Sequence, residues 1–513
     1  MVYPVGRKKC PCRSGLGGPS WDGFVKKLPG AGSNRMQSLT ADLEVKNSLV
    51  VCQNHQGMEL RAGLSRLTRY VAVIEVYHPD LVVRLSEVLS PFQIIVQDRV
   101  IYNGRAVVRN LVSTGLTLVC EVALEEASWA EVEFTPAALA NGRLREQFGA
   151  LIQEWQKLYR VAPDYKLIIA DMQTFLMDLR LWLDQVELSI RSAPEGDRVR
   201  MEQAAAEVVA EPVLACLTAL LERFEAIAAG LDEELKPAHR SYMRRQLHPW
   251  VLCSPLAYRA FAKPLGYAGD YEMINMMARN AQEGGSLFAK AVNTWFLRQG
   301  AVQAHRNRIE YLARHLLAET ARVAGAGREA RVQDIACGPA LEIQQFLREQ
   351  PLSARTRFTL LDFNEETIQY AQKALTGIRS SCRRSTELRF VKKSVQSILK
   401  ESGRRTERRS EDQYDVVYCA GLFDYLSDQV CRRLMEIMYE WLAPGGLLIA
   451  TNVEPSNPAR QVMEHLLDWH LVYRTGAELR ALKPRTADPD SVFVQCDETG
   501  LNVFLEVRKP AHG

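Results

Sequence analysis

The chain has 513 residues, of which 47% are apolar and 24% charged, and its formal net charge is +3. This composition is ordinary for a folded protein of about three domains, and the nearly balanced charge argues against a general attraction to nucleic acid. We find no signal segment near Met1 and no apolar stretch of about 18 residues. We therefore expect a cytoplasmic protein without stable membrane insertion.

Residues 1–56 are rich in Gly, Ser and Pro, lack hydrophobic periodicity and are predicted to form a disordered tail. Cys10 and Cys12 match half of a small zinc motif, but no second Cys/His pair follows them closely, so we predict no metal. The chain has eleven cysteines, an odd number. Their scatter favours reduced thiols over a disulfide framework.

Residues 57–140 contain β-rich runs that predict a small β-barrel. The runs cover 70–77, 92–96, 99–102 and 105–108, and a further strand is expected to end at Val122. Asn103 and Gly104 form a typical hairpin turn between two of these runs.

This segment resembles the PilZ domain, in which arginines precede the first strand and a D/N-x-S-x-x-G turn follows later. Arg66 and Arg69 correspond to the arginines, and Asn110 and Gly115 match the turn, while Val112 replaces its serine. The resemblance implies cyclic di-GMP as a ligand, held by the arginines. The alternative is a barrel that only contacts a partner.

Residues 141–245 are predicted to be helical. Apolar residues recur every three or four positions from Ile168 to Val186, and a second run extends from Pro212 to Gly230. Such stripes pack helices together. They could link the barrel to the C-terminal half, form a homodimer surface or line a tunnel for an acyl chain, and ordinary core is the default.

The segment Val332–Leu341 joins an apolar strand to a helix through a turn of small residues. Such a turn lets the backbone approach a ligand closely, while the amides at the helix start face a polar group. The next strand ends in Asp362. A carboxylate at that place can accept both ribose hydroxyls of a nucleoside.

Further strands are expected at 388–392, 414–419 and 441–452, and two last strands at 491–496 and 502–507 form a hairpin. Strands alternate with helical segments up to that hairpin. This order predicts an α/β fold with a doubly wound, mostly parallel, Rossmann-like sheet that has an antiparallel edge.

Residues 311–508 resemble the class I S-adenosylmethionine-dependent methyltransferases, which implies S-adenosylmethionine as the cofactor. By that resemblance, eight residues surround the cofactor. Asp334, Ala336 and Gly338 lie on the methionine side, and Asp362 holds the ribose. Ser394 and Val395 flank the adenine, and Cys419 and Gly421 close the site.

Two features depart from that family. Ala336 and Ala340 stand where glycine is common, which is acceptable if their φ angles are negative, and Ser394 stands where an acidic residue is common. The alternative is a fold that binds NAD or has lost its ligand. An NAD site normally has a fuller G-x-G-x-x-G motif.

A narrower resemblance covers residues 247–508 and is carried by the runs 261–272 and 468–475. Both are similar to the methyltransferases of 3-hydroxypalmitic acid methyl ester biosynthesis, which makes a quorum-sensing signal. The resemblance implies carboxyl O-methylation of a 3-hydroxy fatty acid. We assign the methyltransferase domain to residues 246–513, beginning with a lid region.

The predicted lid carries Tyr267 and Tyr271. Its glycines permit a tight path, and the tyrosines would cover the sulfonium and exclude water. The alternative is a structural loop with the tyrosines in the core, in which Lys263 pairs with Asp270.

Methyl transfer to an ionised carboxylate needs alignment, desolvation and a counter-charge, but no general base. We therefore expect no catalytic triad. The predicted catalytic residues are Tyr267, Tyr425 and Arg474. Further candidates for binding the carboxylate are Tyr473, Asn452, His305 and Arg306, and each of them has an ordinary structural role as its alternative.

Two other functions remain open from the sequence. The enzyme could methylate another small molecule or a protein carboxylate. Alternatively, the barrel could sense a nucleotide or a partner while the methyltransferase fold serves as a scaffold. A basic run at 404–409 is interpreted as a solvated loop.

Overall fold

The computed structural model describes residues 48–76, 83–96, 99–113, 118–125, 128–129, 161–402 and 413–511. Cys10, Cys12, Gly115 and the basic run at 404–409 therefore lie outside the described residues. Within the described ranges, no group of three His, Cys, Asp or Glu side chains is arranged to hold a metal ion.

Six antiparallel strands close into an N-terminal barrel in the order β1-β2-β3-β6-β5-β4. The strands are β1 (Ser48–Gln53), β2 (Glu59–Leu67), β3 (Val71–Val76), β4 (Val88–Val96), β5 (Arg99–Ser113) and β6 (Leu118–Leu124). The predicted tail therefore ends too late, because β1 lies within residues 1–56. Only six residues long, β1 is stabilised by pairing with β2 and β4, which a local pattern does not reveal.

The predicted hairpin turn at Asn103 and Gly104 is wrong, since β5 runs through both residues. They pair with Gln93 and Phe92 of β4. A side chain at position 104 would come within 2.3 Å of the Ser128 side chain. Glycine is therefore needed at position 104 because the Ser128 side chain packs closely against the backbone there, and not because the chain turns.

Two long helices, α1 (Pro163–Ser192) and α2 (Glu195–Ala229), pack against each other as predicted. Pro212 lies inside α2 instead of opening it. By length and composition, α2 is the one described helix that could cross a membrane, with a mean hydropathy of 1.8 over its apolar window, of which 28% is buried. The expectation of no such stretch is wrong, because Glu207 and Glu211 interrupt the run without lowering its mean hydropathy enough.

Five helices connect this pair to the C-terminal sheet. They are α3 (Lys236–Val251), α4 (Pro255–Ala262), α5 (Tyr271–Arg279), α6 (Leu287–Leu297) and α7 (Gly300–Gly325). Together with residues 459–469, α1 to α6 and the start of α7 enclose one continuous apolar core.

The C-terminal sheet has seven strands in the order β12-β13-β11-β10-β7-β8-β9. They are β7 (Ala330–Ile335), β8 (Thr356–Asp362), β9 (Glu387–Lys392), β10 (Tyr414–Cys419), β11 (Leu442–Val453), β12 (Val492–Cys496) and β13 (Asn502–Arg508). Pairs among β7 to β11 are parallel, whereas β13 runs antiparallel to β11 and β12. This confirms the predicted fold class.

Six further helices belong to this part of the chain. They are α8 (Leu341–Glu349), α9 (Glu365–Ser381), α10 (Val395–Ser402), α11 (Asp428–Glu440), α12 (Arg460–Leu466) and α13 (Gly476–Arg480). Because β7, β8 and β10 are parallel neighbours, their carboxyl ends meet at one edge of the sheet, where such folds bind ligands.

The buried carboxylate of Asp468 joins the barrel, the helices and the sheet domain. It lies 2.8 Å from Nη2 of Arg244 and 3.5 Å from Nε of Arg109 in the barrel. His470 Nε2 is 3.2 Å away. Burial alone would raise the pKa of Asp468, but Arg244 and Arg109 hold it well below its usual range.

The same junction encloses Lys263, whose Nζ donates to the Leu467 carbonyl at 3.2 Å. Burial lowers the pKa of Lys263 to about 7. The predicted Lys263–Asp270 pair is wrong. Asp270 instead accepts from Arg259 Nε at 2.8 Å and caps α5 through the Met273 amide at 2.9 Å.

We predict that Asp468→Asn lowers the free energy of unfolding by about 3–5 kcal/mol, because the buried Arg109 and the half-buried Arg244 lose their counter-charge. The measurement is urea unfolding at pH 7. The matched control is Asp197→Asn, which breaks the exposed Asp197–Arg200 pair and should cost at most about 1 kcal/mol. Equal effects of the two substitutions would contradict the proposed importance of this junction.

The stability supplied by Asp468 should also depend on pH. Its folded-state pKa is depressed, so the contribution is fully present above the unfolded-state value of about 3.9. It is lost as the pH falls through the lower folded-state pKa. Unfolding of the Asp468→Asn variant should therefore respond less steeply to acid than unfolding of the wild type.

Candidate cofactor and acceptor site

The turn between β7 and α8 has left-handed backbone geometry at three residues. The φ angles are 58° at Ala336, 52° at Gly338 and 51° at Ala340. Negative φ, the condition under which alanine would be unstrained here, is therefore not met at either alanine. Left-handed geometry costs an alanine about 1–2 kcal/mol, and here hydrogen bonds fix the path, among them Cys337 N to Leu361 O at 3.0 Å.

A cleft with about 670 Å³ of empty space, part of it open solvent, lies at the carboxyl ends of β7 and β10 and against α7. It brings together five of the predicted site residues: Asp334, Ala336, Gly338, Gly421 and Tyr425. Gly269, Glu342, Asp424, His305 and Arg308 also line it.

Asp334 presents an unsatisfied acceptor at this cleft. Its Oδ2 is buried and has no hydrogen-bond partner. Burial and the neighbouring Glu342 raise the pKa of Asp334 well above its usual value. Because a buried carboxylate without a partner is costly, an added cationic donor would stabilise it. The α-amino group of S-adenosylmethionine is such a donor.

Asp362 ends β8 directly behind the turn. Its carboxylate accepts from Gly338 N at 3.3 Å and from Asn364 N at 2.9 Å. Each oxygen keeps a further lone pair for a ribose hydroxyl. Burial raises the pKa of Asp362, and these amides together with Arg84 of the barrel oppose that rise.

Four predicted cofactor residues do not line the cleft, and Asp362, which lies behind the turn, is one of them. Ser394 Oγ accepts from Ser397 N at 3.2 Å and so caps α10. Val395 and Cys419 are buried in the core between sheet and helices. Ser394 and Val395 still follow β9 beside Asp362, so their place near the adenine stays a prediction, whereas Ala420 and Gly421 rather than Cys419 face the cleft.

Arg308 is the cation of this cleft, and the sequence did not single it out. It is 7% exposed, and burial lowers its pKa while Asp424 and Glu342 oppose the effect. A methyl group at Gly421, where φ is 85°, would lie 2.9 Å from Arg308 Nη1. The glycine therefore gives the guanidinium room.

Arg306, the predicted cation on this helix, points away from the cleft. Its guanidinium donates to the carbonyls of Met277 at 3.0 Å and Leu297 at 3.2 Å. Arg308 lies three residues after His305 and so on the same face of α7. Once the helix boundaries are known, that three-residue spacing predicts that Arg308 shares the cleft with His305.

His305 stands where the cleft meets a second pocket. Its Nδ1 is 2.8 Å from the Ala301 carbonyl, and a carbonyl only accepts, so Nδ1 carries the proton and Nε2 keeps a lone pair. Burial and the nearby Arg308 lower the pKa of His305 to about 3. His305 is therefore neutral at pH 7 and offers a carboxylate no counter-charge.

The second pocket has about 520 Å³ of space between atoms, part of it open solvent, and an almost wholly apolar wall. Its residues come from α4 to α7, from α12 and from Trp469. Examples are Leu256, Met273, Met277, Phe296, Val462 and Met463. Trp469 Nε1 donates to Tyr425 Oη at 3.0 Å, and Tyr425 lines the cleft, so this pair joins the walls of the two spaces.

The predicted lid is wedged between the barrel and the sheet. Tyr267 is half-buried, with its ring 5.0 Å from that of Phe363 and its hydroxyl 3.5 Å from Thr367 Oγ1. Tyr271 donates to Glu366 Oε1 at 2.7 Å. The Gly266 carbonyl accepts from Val88 N of the barrel at 2.7 Å. Neither tyrosine lines the cleft, which favours the structural-loop alternative.

Arg474 is not available to an acceptor. Its donors bind Asp428, the carbonyls of Phe423 and Leu426, and Asn452 Oδ1 at 2.6–3.0 Å. Its predicted catalytic role is wrong, because all five donors are used within the fold. Asn452 is engaged in the same network, and Arg460 lies 4.6 Å from the ring centre of Tyr473. None of these side chains lines the cleft.

Residues 332–446 match the family model described as a methyltransferase domain. This region of the C-terminal sheet is therefore similar to a methyltransferase domain. The match spans the left-handed turn, Asp362 and Gly421, and the class I prediction is supported at this level. The domain match supports the predicted cofactor, S-adenosylmethionine.

Three solved structures are among those that this chain is similar to. A possible exported protein from Bordetella parapertussis is 17% identical, covers 59% of this chain and 97% of its own, and has a TM-score of 0.38. Magnesium protoporphyrin IX methyltransferase from Synechocystis PCC 6803 with bound S-adenosylhomocysteine is 13% identical, with coverages of 46% and 93% and a TM-score of 0.31.

The third is the N-methyltransferase NodS from Bradyrhizobium japonicum WM9 in complex with S-adenosylhomocysteine. It is 16% identical, covers 39% of this chain and 87% of its own, and has a TM-score of 0.27. No curated protein matches the sequence.

We predict that Asp362→Ala weakens binding of S-adenosylhomocysteine by about 1.5–3 kcal/mol, the usual loss for hydrogen bonds to a charged group. Titration calorimetry measures the change. Glu387→Ala, an exposed carboxylate at the start of β9, is the control and should leave the affinity unchanged. An unaltered affinity of Asp362→Ala would disprove the assigned ribose site.

Proposed function

We propose that the protein transfers a methyl group from S-adenosylmethionine to the carboxylate of a 3-hydroxy fatty acid, giving a methyl ester. The observation that carries this proposal is that an apolar pocket meets the cofactor cleft at His305. An acyl chain in that pocket would present its polar end to the cleft.

The apolar pocket supports an acceptor with an alkyl chain. Small-molecule sites are mostly apolar concavities with a few polar groups that fix orientation. Each methylene group removed from water contributes about 0.8 kcal/mol. His305 and Gln299 are polar side chains in its wall, and most of the others are apolar. Binding energy would therefore come mainly from the acyl chain.

Arg308 supports a carboxylate as the reacting group. Its buried guanidinium lines the cleft, and the facing Asp424 has its pKa raised to about 6 by burial. An ionised carboxylate attacks the methyl group directly, with S-adenosylhomocysteine leaving. The protein therefore needs to align the oxygen with the methyl carbon and exclude water.

His305 supports a hydroxyl near the carboxylate. Its Nε2 lone pair accepts a hydrogen bond from a hydroxyl but repels a carboxylate. A buried acceptor left unpaired costs about 1–3 kcal/mol, so a 3-hydroxy acid should be preferred over the unsubstituted acid by roughly 10- to 100-fold in kcat/KM.

A second candidate function follows from the same lone pair. Neutral His305 could remove the proton of a hydroxyl acceptor while the oxygen attacks the methyl group, and the product would be a methyl ether. This reaction belongs to the wider class of small-molecule methylation. It requires the acceptor hydroxyl, rather than a carboxylate, to face the sulfonium.

The test uses purified full-length protein, methyl-labelled S-adenosylmethionine and either 3-hydroxyhexadecanoate or hexadecanoate. We expect labelled product in the organic extract, faster with the hydroxy acid. Mild alkali should release the label as methanol, because esters hydrolyse and ethers do not. Alkali-stable label would favour the hydroxyl reaction, and absence of label with both acids would disprove the fatty-acid acceptor.

We predict that Arg308→Met lowers kcat/KM for the hydroxy acid by about 10- to 100-fold, the loss expected for hydrogen bonds to a charged group. Binding of S-adenosylhomocysteine should change by less than about threefold. The matched control is Arg306→Met. Arg306 lies two residues earlier on the same helix, and its side chain points away from the cleft. If Arg308→Met weakens cofactor binding by the same factor, Arg308 serves the cofactor and not the acceptor.

We also predict that His305→Phe removes the preference for the hydroxy acid while retaining turnover of hexadecanoate. The substitution keeps a planar ring but deletes the Nε2 acceptor. The measurement is the ratio of kcat/KM values for the two acids. An unchanged ratio would contradict the role of His305 in recognising the hydroxyl.

A further inference from the structure

Two segments of the barrel reach the residue that follows Asp362. One is the turn between β1 and β2, which carries His55, and the other precedes β4 and carries Arg84. The Arg84 guanidinium lies 4.4 Å from the ring centre of Phe363. The His55 ring meets the same ring edge-on at 4.5 Å. Phe363 is therefore held from the barrel side by a cation and an aromatic ring.

The buried Glu87 fixes both barrel groups. One of its carboxylate oxygens pairs with His55 Nδ1, and the other accepts from the Arg84 backbone amide at 2.9 Å. Ser86 Oγ donates to the His470 carbonyl at 2.9 Å and accepts from the His470 amide at 2.6 Å. The segment carrying Arg84 is thus attached to the sheet domain and has a defined position.

Charge links Arg84 to the ribose-binding carboxylate as well. Arg84 opposes the rise in the pKa of Asp362 that burial causes. The other titratable groups facing Asp362 are Tyr267, Asp334 and Cys337. Among the groups whose charge acts on Asp362 in the described part of the chain, Arg84 is the cation.

We infer that Arg84 is a positioning residue for the nucleoside end of the cofactor site, because it holds Phe363 through its ring face. The barrel is then a structural part of the methyltransferase site. This inference rests on the proposed function only for the identity of the cofactor. It requires no particular acceptor.

The experiment measures calorimetric affinity of the full-length protein for S-adenosylhomocysteine and for 5′-methylthioadenosine, which lacks the amino-acid end. We expect Arg84→Met to weaken both ligands by about tenfold, since a desolvated cation–π contact and a charge effect are lost together. The matched control is Arg61→Met on β2, which is exposed and pairs with Glu59. It should leave both affinities unchanged.

The dependence of affinity on pH separates positioning from general structural support. Removing the Arg84 charge raises the pKa of Asp362, so loss of ligand binding on acidification should begin at a higher pH. Arg84→Lys retains the charge and should keep the wild-type pH profile. A role in structure alone would lower the affinity equally at every pH.

A double-mutant cycle with Phe363→Leu distinguishes loss of the Arg84–Phe363 contact from a general folding defect. If Arg84 acts through the Phe363 ring, Arg84→Met should weaken binding further by less than about threefold in that background. Unchanged affinity of Arg84→Met for both ligands would overturn the inference, and so would a loss confined to S-adenosylhomocysteine. Failure to form a methyl ester would count only against the proposed acceptor, because these titrations contain none.

Discussion

A buried carboxylate stays ionised only where cations and donors surround it, and Asp468 meets this condition with groups from distant parts of the chain. Arg109 comes from the barrel, Arg244 from a helix and His470 from the segment that carries Asp468 itself. The three parts must therefore close on one point. That requirement fixes the neighbouring Trp469 against Tyr425 and brings the barrel segment before β4 onto the sheet domain.

This closure shapes the chemistry on both sides of the junction. On one side, the Tyr425–Trp469 pair stands between a polar cleft and an apolar pocket, and His305 faces both. On the other side, Phe363 is enclosed by Arg84, His55 and Tyr267. The Gly266 carbonyl and the Tyr267 ring are both bound to neighbouring segments, which favours a fixed loop over a moving lid at residues 263–271.

The sequence predicted what local pattern determines. Alternating strands and helices indicated the doubly wound sheet, and the strand ending in Asp362 indicated a ribose site. It failed where the partners lie far apart: Arg474 binds Asp428 and Asn452, and Gly104 approaches Ser128. Choosing Arg308 over Arg306 required the face of α7 that meets the sheet, which depends on packing and not on composition.

The hydrogen bonds between Ser86 and His470 constrain the evolution of the barrel, because they attach it to the sheet domain. A shorter chain that began after the barrel would expose Lys263, Asp468 and the ring of Phe363, all now covered. Loss or exchange of the barrel would therefore alter the enzyme itself and not merely remove an accessory. Any ligand or partner that shifted the barrel would move Arg84 and His55 relative to Phe363, the residue next to Asp362.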